Sequence, residues 1–138
     1  MDHRYIVTGS RDWYCPDVAE RVLHAILARH GDGSMIVVHG AAKGVDTAFS
    51  HICKRYGIRE DPHPADWIGL GSKAGPIRNQ AMVDAGAVYA IAVHPDLFGS
   101  KGTLDCVRRC LKAGITVYLI DNVNPTRRIK SEDIEGAS

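Results

Sequence analysis

Hydrophobic residues in this chain gather in short continuous runs that alternate with stretches of helical spacing. Residues 4–7 form a β-prone run that ends in Thr8-Gly9-Ser10-Arg11-Asp12-Trp13. Pro16 then opens a periodic stretch with Val18, Val22, Ala25, Ile26 and Arg29 on neighbouring turns, and Gly31 is expected to end that helix. A second buried strand is predicted at 35–38. A helix follows it, with Val45, Ala48, Phe49, Ile52, Cys53 and Tyr56 at three- and four-residue spacing and Gly57 as its stop. Residues 58–61 read as a short strand cut by Pro62 and Pro64, and 63–75 as an irregular stretch. Pro76 suits the first turn of a further helix, whose apolar side is Ile77, Ala81, Met82, Val83 and Ala85.

Residues 87–93 are all apolar, which predicts a strand buried on both faces. A polar loop leads from it into a helix carrying Leu104, Val107, Arg108 and Leu111, ending near Gly114 and followed by a last strand at 115–120. From Asp121 the chain turns polar. The expected organisation is one domain over 1–122 and a polar tail over 123–138, frayed from Ser131. Strand and helix alternate throughout, and the strands are continuously apolar. The predicted class is α/β: a Rossmann-like, doubly wound, mainly parallel sheet of about five strands with helices on both faces.

Composition narrows the function classes. Length, 138 residues, suits a single domain, and 45% hydrophobic with 24% charged residues excludes wholesale disorder. No apolar run approaches the ~20 residues of a membrane span. The start, Met1-Asp2-His3-Arg4-Tyr5-Ile6-Val7, has no secretory leader pattern, so a cytoplasmic location is expected and no membrane partner. Lys plus Arg number 17 against 16 Asp plus Glu, a net charge of +1 that gives no bulk attraction to nucleic acid. Four Cys without a CxxC pair read as small core residues, and His51 with Cys53 points to different helix faces. No metal and no cofactor are expected.

In a doubly wound sheet, ligands bind beyond the carboxyl ends of the strands. Three strand-to-helix loops fall on that rim, and each carries candidate chemistry. Gly99-Ser100-Lys101-Gly102-Thr103 joins a buried strand to a helix start, where backbone N–H groups and the helix dipole favour an anion. It lacks the Walker A spacing, so hydrolysis of nucleoside triphosphates on that plan is not expected. Gly40, Ala41, Lys43 and Gly44 form a weaker anion loop, with Asp46 and Thr47 placed as caps. Gly9, Ser10 and Arg11 are candidate phosphate contacts, and Trp13 and Trp67 are candidate stacking platforms. Arg78 offers a planar fork and Asn79 both a donor and an acceptor. Asp105, in the first turn of its helix, would face a sugar rather than a phosphate.

Taken in order, these segments resemble the SLOG superfamily, in particular its YspA-like branch of small proteins from bacteria and their phages. The matching pieces are Val7 to Trp13, Val38-His39-Gly40-Ala41 with Lys43-Gly44-Val45-Asp46, and His63-Pro64-Ala65-Asp66-Trp67. Ala74-Gly75-Pro76-Ile77-Arg78-Asn79-Gln80-Ala81-Met82 and Ser100-Lys101-Gly102-Thr103-Leu104-Asp105-Cys106-Val107 extend the match. The superfamily also holds LOG phosphoribohydrolases and the DprA/Smf DNA-processing proteins. Arg78-Asn79 resembles the Arg-Asn pair of the LOG enzymes. Their P-G-G-x-G-T-x-x-E loop is matched only in part: its Glu falls on Cys106, and the nearest acid, Asp105, sits one residue or ~100° of helix rotation away.

The resemblance implies a binding module or sensor for a nucleotide-type ligand, ADP-ribose-like or a nucleoside monophosphate. Phosphate would lie over Gly102 and Thr103, with Ser10 and residues 40–44 nearby and Arg78 on phosphate or ribose. The alternative is a phosphoribohydrolase-like enzyme that cleaves the N-glycosidic bond of nucleoside 5′-phosphates, with Arg78 and Asp105 as its catalytic residues. Single-stranded DNA binding is a lesser alternative, since it calls for a basic groove lined with aromatics. A homodimer or higher homo-oligomer is expected from the family's habit.

Overall fold

The computed structural model describes residues 2–30 and 33–135. Its elements are β1 (His3–Gly9), α1 (Pro16–His30), β2 (Met35–His39), α2 (Val45–Tyr56), β3 (Arg59–Pro62), α3 (Trp67–Leu70), α4 (Ala74–Asp84), β4 (Tyr89–Val93), α5 (Gly102–Lys112), β5 (Val117–Ile120), β6 (Arg127–Ile129) and α6 (Ser131–Glu135). The sheet order is β3-β2-β1-β4-β5-β6. Pairing is parallel from β3 across to β5, and β6 runs antiparallel to β5. The Rossmann-like class holds, with six strands where about five were expected.

Alternating residues of the central strands feed two separate cores. Tyr5, Val7, Val37, Ile91 and Val93 meet Leu23 and Ile26 of α1 and Phe49 and Ile52 of α2 on one face. Ile6, Val38, Ala90 and Ala92 meet Met82 of α4 and Leu104 and Val107 of α5 on the other. Ala90 to Val93 are all buried, as a strand between two parallel neighbours must be. All four cysteines are buried and free, which matches their reading as core residues.

The structure departs from the expectations at three places. Residues 63–75 are not simply irregular: they hold the single-turn α3, a 3₁₀ turn at Gly71–Lys73 and the start of α4, which puts Pro76 third in that helix but still in its first turn. β3 runs one residue past its expected end and closes on Pro62 itself, a position an edge strand tolerates because the missing N–H removes no central bond. The expected polar tail contributes β6 and α6, whose Ile129 and Ile134 are 2% and 5% exposed and pack into the α4–α5 core. Ile129 and Ile134 stand five positions apart in a polar stretch, which matches neither helical nor strand spacing. Gly31, the expected end of α1, and residues 136–138 of the tail lie outside the described residues.

Asp121 starts the return to β6. Its carboxylate accepts the N–H groups of Asn124 (2.8 Å) and Val123 (3.1 Å), the Asn124 amide and an Arg127 guanidinium nitrogen. These donors, the Asn124 backbone N–H first among them, hold the carboxyl well below the usual carboxylate range. A depressed folded pKa means stability that is present above the unfolded value and is lost as pH falls toward the folded one. Asp121→Ala should lower the urea midpoint at neutral pH, and its gap to the parent should shrink as the medium is acidified. A gap that stays constant from neutrality down to about pH 2, below the ordinary aspartate range, would remove the carboxylate from this role.

Candidate functional site

A cleft of about 650 Å³ opens on the rim where β1, β2 and β4 end. Its walls come from the loops after those strands and from the start of α4. Two of the three loops are closed in on themselves. Ser10 is 6% exposed; its N–H donates to Val93 O (3.0 Å), its carbonyl accepts Val45 N–H (3.0 Å), and its Oγ accepts Asp12 N–H (3.1 Å). A Cβ on Gly9 would collide with the Val93 carbonyl and the Val45 side chain, and one on Gly44 with the Ser10 carbonyl. These glycines therefore let the first two loops lock together.

The loop after β2 has the sequence of an anion cradle, but its donors are already engaged. Asp46 is 6% exposed, and its Oδ2 accepts the N–H groups of Gly40 (3.1 Å) and Ala42 (3.2 Å). Ala41 donates its N–H to His39 Nδ1 (3.0 Å), so the imidazole proton sits on Nε2 and is given to Glu60 (2.9 Å). A carboxylate of the chain thus fills the place an external anion would take. The Asp46 carboxyl is pushed up by burial, against the pull of His39 and Arg78. Its Oδ1 is buried with no hydrogen-bond partner among the described residues. Ala41 and Lys43 are exposed and do not line the cleft, and neither does Gly44.

Arg78, Asn79 and Asp105 do converge, though as one connected network. Arg78 Nη1 donates to Gly40 O (2.6 Å), and Nε donates to Asn79 Oδ1 (2.9 Å). Asn79 is 3% exposed, and its amide donates to Gly102 O (3.2 Å) and to Asp105 Oδ2 (3.0 Å). Arg109 Nε reaches the same carboxylate oxygen at 2.9 Å. Hydrogen bonds therefore run from the loop after β2, through α4, to the first turn of α5. Arg78 lines the cleft while spending two nitrogens on holding its floor. Cys106 is fully buried and faces the core, so the first carboxylate on the cleft side of α5 is Asp105.

The third loop is the open one. Ser100 Oγ donates to Leu97 O (2.8 Å) and accepts Leu104 N–H (3.1 Å), which caps α5. The N–H groups of Lys101, Gly102 and Thr103 have no partner among the described residues, as expected for a helix's first turn. Thr103 is 5% exposed, lines the cleft, and its hydroxyl has no partner among the described residues. A Cβ on Gly102 would meet nothing within 4 Å, so packing does not demand glycine there.

The two tryptophans part ways. Trp67 lines the cleft, with the Arg11 guanidinium 5.1 Å above its ring. Trp13 packs against the α1–α2 core and does not line the cleft. Asp12 and His94 line it too, and neither stands out as a site residue from sequence alone. Each follows the end of a strand, β1 or β4, and only the neighbour order of those strands puts them on one wall.

The Gly40–Arg78 contact can be tested by stability. A Cβ at Gly40 would push the guanidinium away and break its bonds to Gly40 O and Asn79. Gly40→Ala should lose roughly 1.5–3 kcal/mol in urea unfolding, the range for bonds to a charged group. Arg78→Ala should lose a similar amount, and the double variant little more than either. Full additivity would mean that the two positions do not act through each other.

Comparison with known proteins places this geometry in a family. Residues 3–68 match a family model described as "YspA, cpYpsA-related SLOG family". The chain is similar to the "Gene 61 protein" of Mycobacterium phage D29, 38% identical over 119 residues that span 83% of this chain and 93% of the relative. No solved structure matches it.

Proposed function

The chain belongs to the YspA, cpYpsA-related SLOG family, and from that premise we propose that its rim cleft binds a nucleotide or nucleotide-derived ligand, ADP-ribose-like or a nucleoside monophosphate, as a sensor or binding module. The observation that carries this reading is the open first turn of α5. Three backbone N–H groups and the Thr103 hydroxyl have no partner among the described residues, no atom lies within 4 Å of the place a Cβ on Gly102 would take, and Lys101 lines the same cleft. A phosphoryl group fits that donor set, and the helix dipole adds about 0.3–1 kcal/mol, more when partly buried. Trp67, half exposed on the same cleft with Arg11 over its ring, would be the aromatic platform for a planar base. Arg78 contributes by holding the floor rigid.

Hydrolysis of the N-glycosidic bond is the second reading, and one observation favours it. Asp105 lines the cleft one turn from the phosphate position, and its Oδ1 has no partner among the described residues. In that reaction the bond from the sugar C1′ to the base nitrogen breaks, water adds at C1′, and the base leaves with a proton. Asp105 would stabilise the cationic sugar or orient the water. Against it stands Cys106, which occupies the place of the LOG-type acid and faces the core.

Native mass spectrometry of the purified protein with AMP, CMP, ADP-ribose, NAD and cyclic dinucleotides, followed by HPLC of the supernatant, separates the readings. Retention of an intact nucleotide is the expected result, and the same spectra report whether the chain forms the proposed homo-oligomer. Free base with ribose 5-phosphate would put the hydrolase first; neither binding nor cleavage would withdraw both. Gly102→Val should abolish retention by blocking backbone approach. Asp105→Asn should leave binding intact and stop any cleavage.

A further inference from the structure

The winding of the sheet reverses between β1 and β4, and His94 follows β4 at that crevice. Gly9 and Val93 are register partners, and Ser10 N–H closes the ladder on Val93 O. The next residues on the two strands, His94 on one and the loop to Asp12 on the other, therefore share a wall, and both residues line the cleft.

The chemistry of this wall is set by its own backbone. His94 Nδ1 accepts the N–H of Asp96 at 2.9 Å, so the neutral ring carries its proton on Nε2. Nε2 has no partner among the described residues. Burial holds His94 below the usual histidine range, with the carboxylates of Asp96 and Asp12 pulling the other way. Asp12 gives its N–H to Ser10 Oγ, while its carboxylate has no hydrogen-bond partner among the described residues. The wall thus offers one N–H donor and one anionic acceptor. A phosphate would be repelled by Asp12. A pair of hydroxyls suits both, because a hydroxyl accepts and donates.

We infer that Asp12 and His94 form a diol subsite that holds the ribose hydroxyls of the ligand, His94 Nε2–H donating to one oxygen and Asp12 accepting from the other. The inference rests on the nucleotide reading and adds to it a selection for ribo- over deoxy-sugars. The phosphate remains at the start of α5, which the loop from His94 reaches through Ser100.

Calorimetric titration with AMP, GMP, CMP and UMP, each paired with its 2′,3′-dideoxy analogue, tests it. The parent protein should bind at least one ribonucleotide about tenfold or more tightly than its analogue, as expected when an unpaired carboxylate and imidazole are left behind. His94→Asn keeps an acceptor for the Asp96 N–H and removes the Nε2 donor; Asp12→Ala removes the carboxylate at an exposed position. In each single variant the ratio should fall to about threefold, because one of the two contacts is then missing from the protein, and in the double variant to within about twofold. Equal binding of ribose and dideoxy forms by the parent, or an unchanged ratio in folded variants, overturns the diol subsite and leaves the nucleotide reading standing. No binding of any ribonucleotide by the parent counts against that reading and takes the subsite with it.

Discussion

Parallel pairing of β1 with β4, from Tyr5 against Tyr89 to Gly9 against Val93, is the constraint on which the molecule is built. These strands come from opposite ends of the winding: from β1 the chain builds outward to β2 and β3, then returns across the sheet to lay down β4. Both are buried on two faces, which requires the α1–α2 layer on one side and the α4–α5 layer on the other. Because the pairing is parallel, the loops after β1, β2 and β4 must leave from the same edge. Gly9 is part of this constraint, since any side chain there would strike the β4 carbonyl at Val93.

The rim so formed is polar yet mostly self-satisfied. Buried donors and acceptors carry a penalty when unpaired, and the chain meets it with its own groups. Asp46 serves the loop after β2, Ser10 the loop after β1, and Ser100 the turn before α5. Arg78 and Asn79 join these pieces across α4, so the floor is one continuous network. What stays open is the first turn of α5, Thr103, Trp67 and the Asp12–His94 wall. A site whose supports are satisfied before a ligand arrives keeps the ordering it needs outside the binding step.

The same scaffold stands close to two kinds of chemistry, and a single helical step separates them. An acid at position 106 in an unshifted α5 would lie on the side that Cys106 gives to the core. The carboxylate that this chain turns to the cleft is one residue earlier and already bonded to Asn79 and Arg109. A carboxylate fastened in this way is suited to organising a bound sugar and less free to move a proton. The proposed reading puts binding ahead of cleavage for this reason.

Local pattern determined a great deal of this protein. Continuous apolar strands between amphipathic helices specified a parallel α/β sheet, and glycine-rich loops marked its rim, because periodicity and turn chemistry are properties of neighbours along the chain. The start of α5 was legible in Ser100-Lys101-Gly102-Thr103 for the same reason. Tertiary structure decided which donors remain free. No spacing in the chain announces that Asp46 occupies the Gly40–Ala42 N–H groups, that Arg78 turns to Gly40, or that Trp13 joins the core while Trp67 lines the cleft. Ile129 and Ile134 became core by docking on α4 and α5, which their sparse, polar surroundings did not encode as a pattern. Asp12 and His94, 82 positions apart in the sequence, share a wall only through the lateral order of β1 and β4, and that order is set by packing across the whole sheet.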